Sequence, residues 1–294
     1  MKRFADHNQR IGLIANSEKV SCRNLVRQAA TLIRAADRTV LADSATVALA
    51  GLKAPSFDTA AALARAANLL MVFGGDGTML RVAREIAGSR TPMLGINAGG
   101  LGFLTDVQAH QLPLALKQIW GGETILETRP LIEAAGDSFS LRALNDFVVT
   151  RGASPRLIEL EVSVNAEMLT RYRCDGLIVC SPTGSTAYSL AAGGAVVAPS
   201  ADVFTLTPIC PHTLSNRSVI VSLASTVQVK VLSERVETIL TADGQQPRPL
   251  HAGEVVTICR SRHSIRLLHL AGSSFFETLR RKLGWIGSHV KRQA

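Results

Sequence analysis

The chain has 294 residues, 47% of them apolar and 19% charged. That length suits two domains better than one, and no uncharged apolar run approaches the ~20 residues needed to span a bilayer. The net charge of +9 invites nucleic acid, but Arg280, Arg281, Lys282, Lys291 and Arg292 crowd into the C-terminal end and aromatics are only 4%, so few rings could stack on bases, and a basic surface suits an anionic small molecule equally well.

The first ~120 residues alternate strand and helix patterns. IGLIAN (11–16) predicts a buried strand followed by a helix to about Ala36. TVLAD (39–43) predicts a second strand, and an alanine-rich helix (58–67) leads into the strand LLMVF (69–73). A helix from Met79 to about Ala87, a strand PMLGIN (92–97) and a helix around 108–120 complete the series. Buried apolar strands separated by helices imply a parallel sheet covered on both faces, the Rossmann-like α/β class. From about Glu123 the texture changes to short strand-like runs: TILETRPLIEAAG, SLRALNDFVVT, LIELEVSV, LIVCSP, TLTPI, RSVIVSL, TVQVKVL, TILTADG, EVVTICR and SIRLLHL. These predict an all-β, sandwich-like or barrel-like domain over 123–271. GSTAYSLAAGGA (184–195) reads as a helix start within it. SSFFETLRRKLGW, after Gly272, carries a Ser cap and helical apolar spacing. This last helix, within 272–294, is expected to pack back on the first domain (1–122).

Five scattered cysteines without a CxxC pair read as reduced thiols, neither a disulfide framework nor a zinc site. The N-terminal MKRFADHNQR lacks the apolar stretch of a secretory signal, so a cytoplasmic location is expected.

Chemistry concentrates in four places. FGGDGTML (73–80) lies where a buried strand ends and a helix begins, the edge at which open α/β sheets bind ligands. Gly74, Gly75 and Gly77 let the backbone approach a phosphate, and free N–H groups at the helix start, with Thr78 among them, attract anions. It is neither a Rossmann fingerprint, which needs glycine at Leu80, nor a Walker loop, which needs Gly-Lys-Ser/Thr. Asp76 is the odd choice, since a carboxylate beside phosphates is repelled unless it handles a proton, a hydroxyl or a metal; an Asx turn or helix N-cap is the bland alternative. NAGGLGFLTD (97–106) is a second glycine-rich strand exit, with Gly99 and Gly100, or simply a flexible loop. LNDFVV (144–149) sets Asn145 and Asp146 in an apolar strand, where neighbours face opposite ways and at least one polar side chain turns inward, an edge position or bulge being the alternative. RCDGLIVCSPTGSTAYSLAAGGA (173–195) packs Asp175, hydroxyls and glycines around one turn that could read a nucleotide's polar edges.

In order and approximate spacing, GGDGT, NAGGLGFL, the Asn-Asp pair, the Asp-Gly…Ser-Pro-Thr-Gly-Ser-Thr-Ala-Tyr block and PHTLSNR (211–217) resemble the bacterial NAD kinases, from about residue 11 to about 285. GGDG alone is shared with diacylglycerol kinases and phosphofructokinases, which leaves a lipid or sugar kinase, or a catalytically silent nucleotide-binding protein, as rivals. The resemblance implies an α/β domain followed by a β-sandwich, NAD in the cleft between them, and a homodimer or homotetramer. It implies transfer of the terminal phosphoryl group of ATP to the 2′-hydroxyl of NAD's adenosine ribose, with Mg²⁺ or another divalent cation riding on the donor phosphates and no metal held by the protein alone. By position, Asp76 is then the proton acceptor, Gly77 neighbours the substrate, and Arg81 is a basic contact one turn into the helix. Asn145 and Asp146 hold the adenosine ribose and base, where most relatives carry Asn-Glu. Asp175 accepts from the adenine amino group, in its own subunit or across a subunit boundary. Thr186, Ala187, Tyr188, Ser189, Leu190 and Ala191 line the adenosine site, and Gln245 and Arg156 are further contacts. Arg173 stands where members that also use polyphosphate tend to carry glycine, so ATP is the expected donor.

Overall fold

The computed structural model describes residues 9–100, 102–213 and 217–285. Leu101 of the second glycine-rich run, residues 214–216 of PHTLSNR and the end of the chain after 285 lie outside the described residues. The chain divides into two compact units. One gathers the chain through Val82, Ser89–Glu127 and the chain from Arg266; the other gathers Ala83–Gly88 and Thr128–Ile265.

The first unit is built on a parallel sheet in the order Ser56–Phe57, Thr39–Asp43, Arg10–Ala15, Leu69–Gly74, Met93–Asn97. Leu69–Gly74 is buried along its whole length, as a run of Leu, Met, Val and Phe requires of a strand covered on both faces. Met93–Asn97 also pairs in parallel with Val107–Gln108 and, through Met93, with Leu267 near the end of the strand Val255–Leu270. The helix Val20–Ala35 buries Cys22, Leu25, Val26, Ala29, Ala30 and Ile33, the i, i+3, i+4 stripe of a helix lying on a sheet. The helix expected from Met79 begins at Asp76 and runs to Glu85. Gly74 ends the preceding strand, Gly75 makes the turn, and Gly77 lies in the first turn of the helix. A short helix, Ser44–Ala50, was not foreseen; Asp43 caps it by accepting from the Thr46 amide at 2.9 Å.

The second unit is an antiparallel sandwich. One sheet runs Val219–Ser222, Val203–Ile209, Gly176–Cys180, Asp146–Arg151, Thr238–Ala242, Gln245–Leu250. Opposite it, Glu167–Cys174, Ile158–Val164, Val227–Val231 and the first part of Val255–Leu270 pair in that order. Phe147, Leu177, Phe204, Leu240, Leu160, Val229 and Val256 are among the side chains that fill the space between them, all fully buried. The expected helix at 184–195 is shorter: a 3-10 turn, Thr183–Thr186, and one helical turn, Tyr188–Ala191.

Candidate active site

In the first unit the strand Leu69–Gly74 delivers Gly74 to the carboxyl edge of the sheet, with Asn97 as its register partner on the neighbouring strand. Both glycine-rich runs therefore leave the sheet side by side, and the Ala98 amide donates to the Gly74 carbonyl at 3.2 Å. Gly77, Gly99 and Gly100 are exposed, Gly75, Asp76 and Arg81 are half-buried and Thr78 is buried. Asp76, on the first turn of its helix, aims its carboxylate at the second run. Its Oδ2 accepts from the Phe103 amide at 2.8 Å and its Oδ1 from the Leu104 amide at 3.1 Å, with the Thr105 hydroxyl 3.5 Å away. Gly102 makes this approach possible, because a Cβ there would collide with Asp76 Oδ1 and Thr105 Oγ1. A carboxylate offers about four lone-pair sites, so two amides fix its orientation and leave capacity for one more donor. Asn97 organises the same loop, its Nδ2 donating to the Gly100 carbonyl and to Thr105 Oγ1 while its Oδ1 accepts from the Gly99 amide at 2.7 Å.

The loop is braced from behind. The Phe103 ring lies 6.4 Å from that of Phe275 on the helix Phe275–Leu283, and Lys282 Nζ sits 5.4 Å above it. Asp106 bonds Nδ1 of His269, whose Nε2 lies 2.8 Å from Glu127 Oε2. That second contact is an ion pair in which the ring N–H does not point at the oxygen. Burial opposes a charge on His269, but the two carboxylates outweigh it and push its pKa up to about 9.

In the second unit Asn145 and Asp146 are both buried, at 9% and 4% exposure. The strand expected over 140–150 breaks at Leu144 and Asn145, ending at Ala143 and restarting at Asp146. Asp243 holds the break: its carboxylate accepts from the amides of Leu144 (3.2 Å), Asn145 (2.7 Å) and Asp146 (3.4 Å). The same carboxylate pairs with Arg84 at 2.6 Å, and the Arg84 guanidinium also donates to Gln245 Oε1 at 2.5 Å. Asp146's own carboxylate has no hydrogen-bond donor among the described residues; burial, and secondarily the charge of Asp243, raise its pKa to about 7.

The Thr183–Thr186 turn is docked onto this break. Ser181 donates through its amide to the Asn145 carbonyl at 2.8 Å and through its hydroxyl to the Leu144 carbonyl at 2.5 Å. Gly184 has to be glycine, since a Cβ would strike the Asn145 carbonyl. Thr186, Ala187 and Leu190 are half-buried and Tyr188 and Ala191 exposed around it, whereas Ser189 is buried against Thr207, 2.9 Å between hydroxyls.

Asp175 is not brought to this group. Asp146 pairs with Cys180, and Asp175 precedes Gly176 at the far end of that strand, about 17 Å away along five residues. There its Oδ1 accepts from Arg151 Nε at 2.6 Å. Arg173, 65% exposed, faces Glu159 at 4.0 Å, and Arg156 is exposed.

Reading the sequence missed Arg84, Asp243 and Arg151. Asp243 had a signal: Asp243-Gly244, both at positive φ (52° and 67°), form the Asp-Gly turn of the hairpin that joins Thr238–Ala242 to Gln245–Leu250. The two arginines had none, because their partners lie 159 and 24 residues away.

A carboxylate fixed at a strand-to-helix exit, between two glycine-rich runs that leave the sheet side by side, is the apparatus of a phosphotransferase, and the comparisons with known proteins agree. Residues 11–124 match the ATP-NAD kinase N-terminal domain and residues 144–270 the ATP-NAD kinase C-terminal domain. The NAD kinase of Moorella thermoacetica is 41% identical over 284 residues, 95% of this chain and 91% of that protein. Among solved structures, yeast NADH kinase complexed with NADH superposes with a TM-score of 0.86 at 25% identity, covering 95% of this chain and 89% of that one. An NAD kinase from Archaeoglobus fulgidus in complex with ATP gives 0.75 at 26% identity, covering 95% and 100%. The chain belongs to the NAD kinase family.

Proposed function

We propose that the chain transfers the terminal phosphoryl group of ATP to the 2′-hydroxyl of the adenosine ribose of NAD, with Asp76 receiving the proton. The observation that carries this role is the fixing of the Asp76 carboxylate by the Phe103 and Leu104 amides, which keeps one acceptor site aimed and open. Phosphoryl transfer needs positioning and charge neutralisation more than covalent chemistry. The backbone of Gly75–Gly77 and of Gly100 offers N–H groups to the donor phosphates, while the Gly99 amide is held by Asn97. A divalent cation carried by the donor phosphates would neutralise charge there. Asp146, buried and without a donor, is suited to accept from the ribose hydroxyls or the base, with Asn145 beside it.

Asp175 stands too far from Asp146 along its strand to read the same nucleoside, so its acceptor role towards adenine requires a second copy of the chain, in a homodimer or homotetramer. Arg81, Arg156 and Gln245 are assigned as further NAD contacts, Gln245 through the guanidinium of Arg84 that it shares with Asp243. No helix among the described residues is long and apolar enough to cross a membrane, and the reading places the enzyme in the cytoplasm.

The test incubates the purified protein with NAD, ATP and Mg²⁺ and follows NADP. Formation with ATP is expected, and inefficient formation with polyphosphate, which Arg173→Gly should raise. No NADP from any donor would defeat the reading.

A further inference from the structure

The glycine loop over 74–78 has no cation of its own, unlike a Walker loop with its built-in lysine. A polyanionic donor held there needs a positive charge from elsewhere in the chain. The structure supplies one from the exit of the neighbouring strand. Arg10–Ala15 and Leu69–Gly74 are adjacent and parallel, so both end at the same sheet edge. The turn after the first strand is fastened to the end of the second: the Asn16 amide donates to the Phe73 carbonyl at 2.9 Å, and Cys22 Sγ reaches the same carbonyl at 3.5 Å. Within that turn the Lys19 amide donates to the Asn16 carbonyl at 3.2 Å, which sets Lys19 immediately before the helix Val20–Ala35. From there its side chain reaches over the loop, and Nζ lies 4.0 Å from the point where a Cβ on Gly75 would sit. Lys19 is exposed and forms no ion pair among the described residues.

We propose that Lys19 is a donor-phosphate contact, an ammonium that binds the triphosphate over Gly75 together with the loop's amides. The inference rests on the reading of the chain as an ATP-dependent kinase and adds a residue that neither glycine run contains. A lysine suits the task because its charge is compact and its three donors rotate, so it can follow a phosphate without imposing one planar geometry.

The experiment titrates MgATP and, separately, NAD into the wild-type protein, Lys19→Met and Lys19→Arg by calorimetry, with melting temperatures as a check on folding. A charge-assisted hydrogen bond predicts that Lys19→Met weakens MgATP about 10-fold or more while NAD affinity and melting temperature stay within error. Lys19→Arg should recover most of the loss, and the salt dependence of MgATP binding should flatten in Lys19→Met. MgATP binding within twofold of wild type in Lys19→Met would overturn the proposal, as would an equal loss for NAD and MgATP. Binding is read without turnover: a wild-type protein that binds MgATP through Lys19 but makes no NADP would defeat the kinase reading and leave this contact standing.

Discussion

Arg84 and Asp243 form a nearly dry ion pair, 2.6 Å apart with 9% and 0% of their side chains exposed, and the carboxylate that Arg84 neutralises also holds the amides of Leu144, Asn145 and Asp146. Removing one member leaves the other charged and buried, which costs about 3–5 kcal/mol. Asp243→Ala and Arg84→Met are therefore expected to lower the melting temperature strongly. The double variant should lose less than the sum of the two, a coupling that a double-mutant cycle measures directly. Additive losses would mean that the pair does not act as a unit.

Asp76→Asn should lower turnover by ~10²-fold or more with far less change in NAD affinity, since the amide cannot take the proton yet keeps the size of the group. Steady-state rates and circular dichroism together check this. Near-normal turnover would make Asp76 a turn residue and nothing more.

Hypoxanthine presents a carbonyl where adenine presents an amino group. If Asp175 accepts from that amino group, nicotinamide hypoxanthine dinucleotide should be weaker by ~1–3 kcal/mol in kcat/KM than NAD. Arg151→Met, which frees Asp175 from its 2.6 Å partner, should alter that discrimination more than it alters turnover with NAD. Equal use of both dinucleotides would remove Asp175 from adenine recognition.

Asp146 has a folded pKa raised from 3.8 to about 7, so the folded state favours its protonated form. Its contribution to stability is fully present below about pH 4 and is lost as the pH rises to 7 and beyond. The melting temperature of wild type relative to Asp146→Asn should therefore fall across that window. NAD, if its hydroxyls donate to the carboxylate, should stabilise the wild type more at pH 8 than at pH 6. A pH-independent difference between the two proteins would contradict the buried, unpartnered environment.

His269 works over a different range. Its pKa is raised from 6.5 to about 9, so the stability it contributes is present below pH 6.5 and lost as the pH rises through 9. His269→Gln should be clearly less stable than wild type at pH 6, and the gap should close towards pH 10. Thermal melts across that span decide it, and a constant gap would mean that the ring is neutral between Asp106 and Glu127.

The sequence was most informative where one physical demand dominated. The continuous apolar run LLMVF could only be a covered strand, and the structure places it at Leu69–Gly74. TILETRPLIEAAG forms the strand Thr124–Gly136 with both ends as read. Helix onset at Asp76 rather than Met79 was hidden because Gly77, in the first turn, lowers helix propensity, and tertiary context overrides it. The strand Glu167–Cys174 escaped notice because it is an edge strand, mostly exposed or half-buried, and its EMLTRYRC lacks the apolar alternation of a covered one. Asp76, Asn145 and Asp146 were legible as carboxylates or amides in apolar or glycine-rich settings. The partners that fix them were not, since an amide such as that of Leu104 leaves no mark on residue identity.

The strand Val255–Leu270 belongs by its first part to the sandwich and by its end to the parallel sheet, where Leu267 pairs with Met93 across 174 positions of chain. On a ribosome the N-terminal sheet accordingly waits for its last edge until nearly all of the chain has been made. Closing so long a loop costs only logarithmically more than closing a short one, so the delay is one of timing rather than of stability. A fragment ending near residue 122 would keep the pairing of Ile96 and Asn97 with Val107 and Gln108 but leave Met93 without Leu267, an unpaired stretch open to other chains. Nascent protein should therefore depend on chaperones until Arg266–Leu270 arrives.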